Sequence, residues 1–361
     1  MKETKKTPKT QLNLFERNKS HKESTIKTNL RAIDLFAGIG GIRQGFEKHG
    51  CKVIFSAEWD KHAQLTYELN YKEKPFGDIT QINEKEIPQF DILLAGFPCQ
   101  PFSQAGLKKG LADTRGTLFF DVARIIDYHR PKVVFLENVK RFRTHDGGRT
   151  FAVVKDVLEG MGYTVYAEVL NAKDFGLPQN RERIFIVGFY GKIDFTFPTP
   201  LKIETKLGDI LEKKVDKKYV LSDALWAGHK RRKEEHIKKG NGFGYSLFNS
   251  NSKYTSTISA RYYKDGSEIL IEQKNTNPRK LTPREAARLQ GFPESFILPQ
   301  SDTQAYKQFG NSVSIPVISA IAKEILLTLQ DMGDVNVKHK KLDISKIKKE
   351  KIKEAIKSLK N

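Results

Sequence analysis

Cys99 and Glu137 carry most of the chemistry this sequence offers. Cys99 stands in the stretch Leu94-Ala95-Gly96-Phe97-Pro98-Cys99-Gln100-Pro101-Phe102-Ser103, just after an apolar run, 90–95, that reads as a buried strand. A lone cysteine is commonly a small buried hydrophobe. This one lies between two prolines that fix φ on either side, so its thiol is held in a stiff, non-helical turn at a strand exit. Given a cationic neighbour, such a thiol becomes a thiolate, the nucleophilic form. Glu137 takes the matching place after a second apolar run, 132–136, which puts a carboxylate on the same sheet edge. Arg181 and Arg183 precede a third run, 184–188, and strand periodicity points both to one side. Paired arginines at a strand entrance are also what a salt-bridged surface provides.

The elements that must position these groups read as alternating strands and helices. Residues 32–36 form a strand, Ala37-Gly38-Ile39-Gly40-Gly41 a tight turn and 42–49 a helix. Three glycines let the backbone approach a ligand and leave free N–H groups at a helix start. The spacing is not that of the dinucleotide fingerprint, because the third glycine follows the second directly. A second strand, 52–57, ends in Glu58-Trp59, 24 residues after Asp34. A carboxylate there suits ribose hydroxyls, and Trp59 offers a face for a purine. Gly77-Asp78-Ile79 is expected at the next strand end, where Asp78 suits an adenine amino group. Glu58 and Asp78 also fit as ordinary helix-start acids. Three such strand ends in succession favour a bound adenosine, in the crevice where open α/β sheets collect their ligands.

Composition narrows the class. A chain of 361 residues accommodates one large and one small domain. Apolar content of 38% allows a proper core, yet no run of 18 apolar residues occurs, so no membrane span is predicted. The first residues lack an apolar signal-peptide core, which predicts a cytoplasmic protein. Cys51 and Cys99 are the two cysteines and read as reduced thiols; no Cys/His cluster has the spacing of a metal site. The formal charge is +20, with +6 in residues 1–31 and +5 in residues 331–361. A basic excess suggests a polyanionic partner such as nucleic acid, but the +9 left for the middle is also the balance of a soluble basic protein.

Five segments follow. Residues 1–29 are a basic N-terminal arm, and 30–189 a catalytic and cofactor-binding domain. Residues 190–280 lose the strand–helix alternation and read as a small β-rich recognition domain. Residues 281–330 return to the large domain, and 331–361 form a Lys-rich tail. The loop 106–117 is long, basic and glycine-punctuated, as functional lids and spacers are. In 190–280, Lys230 to Lys233, Gly242-Phe243-Gly244-Tyr245 and Ala260-Arg261-Tyr262-Tyr263-Lys264-Asp265-Gly266 interleave aromatics with basic groups, as nucleic-acid surfaces do.

Taken in order, the motifs resemble those of the DNA (cytosine-5)-methyltransferases of the bacterial restriction-modification, Dcm-like type. The matching stretches are Asp34-Leu35-Phe36-Ala37-Gly38-Ile39-Gly40-Gly41, Gly96-Phe97-Pro98-Cys99-Gln100, Glu137-Asn138-Val139, Gln179-Asn180-Arg181-Glu182-Arg183, Arg288-Leu289-Gln290-Gly291-Phe292-Pro293 and Gly310-Asn311-Ser312-Val313. The resemblance implies an α/β fold: a Rossmann-like, S-adenosylmethionine-dependent sheet with helices on both faces, plus a small β-rich target-recognition domain. It implies S-adenosyl-L-methionine as cofactor, double-stranded DNA as partner and no metal. Cys99 would add to C6 of a flipped-out cytosine so that C5 can take a methyl group. Glu137 would hold N3 and the amino group of the base, and Arg181 and Arg183 would steady both. Phe36, Gly38, Gly40, Glu58, Trp59, Asp78, Ile79, Pro98 and Asn311 match cofactor positions. Ser103, Arg115, Arg261, Tyr262 and Lys264 are the implied DNA contacts, Arg115 on a loop that closes over the base. Segments 242–245 and 260–266 look like those of enzymes whose sites begin with CC and end with GG. That implies a short palindromic site, a monomer, and a restriction endonuclease acting on the same site without a stable complex. Two rivals are the same chemistry on tRNA, which the distinct recognition insert argues against, and a DNA-binding regulator with a dead core. The intact Pro98-Cys99, Glu137 and Arg181/Arg183 set argues against the second.

Overall fold

The computed structural model describes residues 28–98, 118–201, 203–242 and 244–331. Cys99, Ser103 and Arg115 lie outside the described residues, as do most of the N-terminal arm and the Lys-rich tail. The strands are β1 (Arg31–Leu35), β2 (Lys52–Ala57), β3 (Ile92–Ala95), β4 (Val133–Val139), β5 (Tyr163–Asn171) and β6 (Glu182–Tyr190), and they form one sheet in the order β2-β1-β3-β4-β6-β5. β2, β1, β3 and β4 are parallel, and β6 is antiparallel to both β4 and β5. All four residues of β3 are buried, which is why it reads as a continuous apolar run rather than an alternating one.

Helices cover both faces. α1 (Gly41–Glu47) lies on the opposite face from α3 (Leu118–His129) and α4 (Arg149–Gly160), with α2 (Lys61–Tyr71) placed between β2 and β3 in the chain. On one face Ile33, Leu35, Leu93 and Leu136 pack against Phe119 and Val122 of α3 and Val154 and Leu158 of α4. Alternate side chains, Ala32, Leu94, Phe135 and Val187, pack on the other face against Ile42 and Phe46 of α1.

β1 is the point where the strand order reverses: its sequence neighbour β2 lies on one side and β3 on the other. A crevice therefore opens beyond the carboxyl ends of β1 and β3, the usual ligand position in such sheets. The antiparallel β6 matters to that crevice. Its register pairs Val139 with Arg183, so the start of β6 meets the end of β4.

Segment 190–280 departs from expectation. It holds a 16-residue helix, α5 (Asp223–Lys238), and two strands of two residues each, β7 (Leu247–Phe248) and β8 (Leu270–Ile271). Among the described residues it is not β-rich, and its buried apolar side chains form no separate core. Leu207, Ile258, Tyr262 and Ile271 share one apolar cluster with Ala286 and Leu289 of α6 (Pro283–Leu289), with Phe309 of α7 (Asp302–Asn311), and with Ile39 and Ala63 of the large domain. Thr282 and Glu285 form a capping box at the start of α6. Short glycine- and asparagine-rich pieces here close by turns and side-chain-to-backbone bonds instead of ladders. α8 (Ile315–Asp331) returns the chain to the sheet. The run Asp302–Asp331 is long and apolar enough by composition to cross a membrane, and its side chains Ile318, Ile321 and Ile325 fill the core against β1 and β3.

Candidate active site

A cavity of about 570 Å³ opens at the carboxyl edge of β1, β3 and β4, within the size range of small-molecule sites. Its walls bring together distant stretches: Phe36, Gly38, Glu58, Trp59, Pro98, Glu137, Arg181, Arg183 and Asn311 all line it. Nine of the thirteen catalytic and cofactor residues expected from the sequence thus meet in one place.

The β1 exit builds one wall. Phe36 adopts a left-handed φ of 56°, which turns the chain sharply out of the strand. Gly40 has φ 80°, and a Cβ there would lie 2.4 Å from the Tyr71 ring, so only glycine fits. Glu58 closes the turn from the β2 side: Gly38 N–H donates to its Oε2 at 2.8 Å and Asp60 N–H to its Oε1 at 2.8 Å. Burial raises the Glu58 pKa, against these two backbone donors. Beside it Trp59 is 76% exposed, which leaves an aromatic face free at the rim. Beneath the turn Asp34 is fully buried with neither oxygen hydrogen-bonded to a partner. Burial pushes its carboxyl up to about 8.

Asp78 and Ile79 do not line the cavity. Gly77-Asp78 follows no strand; only Phe76 bridges to Ala57, and Asp78 caps the short 3-10 turn Ile79–Gln81 through Thr80 N–H. Asp78 is exposed and Ile79 is buried.

The other wall carries charge. Glu137 is buried, and Arg183 Nε lies 3.2 Å from its Oε1. Burial raises the Glu137 pKa, while Arg183 first and Arg181 second act to lower it. The desolvated guanidinium of Arg183 is itself shifted down. A Cβ on Gly96 would sit 3.7 Å from Glu137 Oε2, so the turn that runs into Cys99 passes directly by this carboxylate. Asn138 fixes that approach: its Nδ2 donates to Phe97 O at 2.9 Å in a buried bond. Asn138 had no role in the sequence reading. Its signal was a second polar residue following Glu137 at the end of an apolar strand.

Arg181 behaves differently from Arg183. It is 2% exposed and donates to three backbone carbonyls: Nη1 to Ile258 O at 3.0 Å, and Nη2 to Gly310 O at 3.0 Å and to Ser312 O. It makes no hydrogen bond to Glu137. Of the expected DNA contacts, Arg261 and Lys264 are exposed, but Tyr262 is wholly buried. The Tyr262 hydroxyl donates to Ile269 O at 2.7 Å and accepts from Leu281 N–H at 2.8 Å, and its ring packs on Tyr306. Tyr262 is a core residue with no surface to offer DNA. Asp265 pairs with Arg232 at 3.0 Å, so it does not neutralise Arg261.

Comparison with known proteins agrees with the site. Residues 30–327 match the profile of the C-5 cytosine-specific DNA methylases. The chain is 65% identical over 305 residues to "Type II methyltransferase M.SsoII" of Shigella sonnei, covering 83% of this chain and 80% of that protein. It is 56% identical over 325 residues to "Type II methyltransferase M.DsaV" of Dactylococcopsis salina, covering 89% and 92%. Among solved structures, the Dnmt2 methyltransferase of S. pombe superposes with a TM-score of 0.69 at 20% identity, covering 84% of this chain and all of that one. Such enzymes take their methyl group from S-adenosylmethionine, and the cavity suits it: a held carboxylate at Glu58, an open aromatic face at Trp59 and a close-approach turn at Gly38–Gly41. The chain is thus an S-adenosylmethionine-dependent methyltransferase, and it belongs to the C-5 cytosine-specific DNA methylases.

Proposed function

We propose that this enzyme methylates C5 of a flipped-out cytosine in duplex DNA through a covalent bond between Cys99 and C6, at a short palindromic site of the CC…GG type. The observation that carries the reading is the approach of the Gly96–Pro98 turn to Glu137, pinned by Asn138. It supports Cys99 and Glu137 acting on one base. The Cys99 thiolate adds to C6. Glu137 shares its proton with N3, so that the ring can accept the electron pair. Arg183 holds the Glu137 carboxyl against the base. C5, now electron-rich, is the methyl acceptor; the bound cofactor supplies an electrophilic methyl group on a sulfonium. Loss of the C5 proton to a solvent base then expels the Cys99 thiolate, N3 returns its proton to Glu137, and the aromatic ring is restored.

Glu58 and Trp59 are read as holding the ribose and the purine of the cofactor, with Phe36, Gly38, Pro98 and Asn311 completing the wall and Gly40, packed against Tyr71, shaping the turn behind it. Asp78 and Ile79 keep a more distant role at the adenine end. Arg261 and Lys264, on the exposed turn of segment 190–280, are read as contacting the DNA, and Ser103 and Arg115 as doing so from the loop beyond Cys99. The enzyme is taken to work as a monomer in the cytoplasm, as the modification half of a restriction-modification system. Its partner would be a separate endonuclease that cuts the unmodified site.

The test is to incubate the enzyme and cofactor with a randomised duplex pool and with tRNA, then to sequence both after bisulfite treatment. Methylcytosine confined to CC…GG sites in the duplex is the expected result. Methylation of tRNA alone, or of duplex without that preference, would contradict the reading.

A further inference from the structure

Arg181 occupies an unusual position for a cation. It is buried, its hydrogen-bond partners are carbonyls rather than a carboxylate, and burial pushes its pKa well down. A buried charge persists only where its surroundings over-determine it. Those surroundings come from two functional surfaces. Ile258 leads into the turn that bears Arg261 and Lys264, and Ser259 Oγ accepts from Arg261 N–H at 3.1 Å. Gly310 and Ser312 flank Asn311 on the cavity wall. One rigid guanidinium therefore bonds the recognition turn through Nη1 and the cofactor wall through Nη2.

Four further contacts remove slack from the tie. A Cβ on Gly310 would lie 2.3 Å from Ser259 C and O and 2.4 Å from Ala260 N, so the two backbones are flush. Gln179, wholly buried, accepts from Ile258 N–H at 3.1 Å and donates to Leu289 O at 2.9 Å, and Thr257 Oγ1 donates to Asn180 O at 2.7 Å. Sliding either surface against the other would leave buried carbonyls unpaired.

We infer that Arg181 is a positioning residue that makes DNA engagement by the recognition turn and cofactor holding by the Gly310–Ser312 wall mutually dependent. Each ligand, by ordering its own side of the tie, raises the affinity for the other by the same factor. This inference rests on the functional reading above, and methyl transfer measured in the same preparation tells the failure of one from the failure of the other.

The experiment measures the Kd of S-adenosylhomocysteine by calorimetry, alone and with a saturating duplex chosen from the methylated pool. In the native enzyme the duplex is expected to tighten S-adenosylhomocysteine by about 5-fold or more. Gly310→Ala wedges a methyl group between the two backbones without altering a charged group. It is expected to bring the ratio close to one, whatever it does to the Kd of S-adenosylhomocysteine alone. Thr257→Val removes a single hydroxyl from the same tie, and it decides the matter if Gly310→Ala does not fold; its ratio is expected to fall between the two. A ratio near one in the native enzyme, or an unchanged ratio in the folded variants, would overturn the inference.

Discussion

Asn138 Nδ2 holds Phe97 O at 2.9 Å, joining the end of β4 to the turn that runs into Cys99. The bond spans 41 residues of sequence and is buried. It sets how near the Gly96–Pro98 turn comes to Glu137. Asn138→Ala is expected to lower kcat by about 10- to 100-fold, because a misplaced nucleophile costs far more in rate than in binding. The buried carbonyl left unpaired should also cost about 1–3 kcal/mol of stability. Single-turnover kinetics beside a cofactor titration checks this: a fall in kcat with cofactor Kd unchanged is predicted, and an unaltered kcat would remove Asn138 from the account.

The pH profile follows from Glu137. Burial raises its pKa, so the protonated form persists to higher pH than in an ordinary glutamate. In the proposed mechanism a proton shared with N3 requires that form, so Glu137 is expected to give a rate that falls as pH rises through its raised pKa. The Cys99 thiolate works in the opposite sense, gaining with pH. The native profile of kcat/KM is therefore expected to be bell-shaped. Glu137→Gln donates a hydrogen bond at every pH but has no proton to transfer. It is expected to lose about 10²- to 10⁴-fold in rate and to lose the alkaline fall. A variant that keeps the fall would assign that limb to another group.

Asp34 makes a prediction about stability. Its carboxyl stands at about 8 in the folded protein, against roughly 3.9 in an unfolded chain. Below the lower value both states are protonated, and no difference arises. Between the two the unfolded chain ionises while the folded one keeps its proton, so stability is lost steadily as pH rises and levels off above about 8. Asp34→Asn cannot ionise. Its advantage over the native protein should grow from pH 5 to pH 8 and reach roughly 1–4 kcal/mol. Urea unfolding across that range measures it, and an advantage independent of pH would contradict the assignment.

Arg261 is exposed, and no acidic side chain pairs with it among the described residues, since Asp265 is engaged by Arg232. Arg261→Ala should therefore leave the melting temperature nearly unchanged. If Arg261 reads a guanine edge, preference relaxes at one position of the site by about 1–3 kcal/mol. If it grips a phosphate, binding weakens on all sequences and the salt slope drops by about one unit. Native preference together with native salt slope would exclude both roles.

The sheet was legible because β3 and β4 are buried along their length and so leave unbroken apolar runs. The direction of β6 was not, because an apolar run reads the same either way; yet that direction puts Arg183 beside Glu137. The motifs located Glu137, Arg183 and Glu58, whose chemistry is local to strand ends. They did not separate Arg181 from Arg183. Both face one side, and only the fold decides that one meets a carboxylate and the other three carbonyls. Tyr262 failed for a related reason. An aromatic between arginine and lysine looks like a nucleic-acid contact, but here the shared core with Tyr306 claims it. Segment 190–280 was not legible in this way: its short glycine- and lysine-rich pieces lack strand–helix alternation, yet Ser222 caps a 16-residue helix there.

The central claim is covalent attack by Cys99 at C6 of the target cytosine. The most direct measurement incubates the enzyme and S-adenosylmethionine with a target duplex in which that cytosine is replaced by 5-fluorocytosine. Fluorine cannot leave as a proton does, so the Cys99 thiolate cannot be expelled once the methyl group is on C5. A protein–DNA adduct that survives denaturing electrophoresis and maps by mass spectrometry to Cys99 is predicted, and Cys99→Ser should abolish it. An enzyme that methylates the unmodified duplex normally but forms no such adduct would contradict the mechanism.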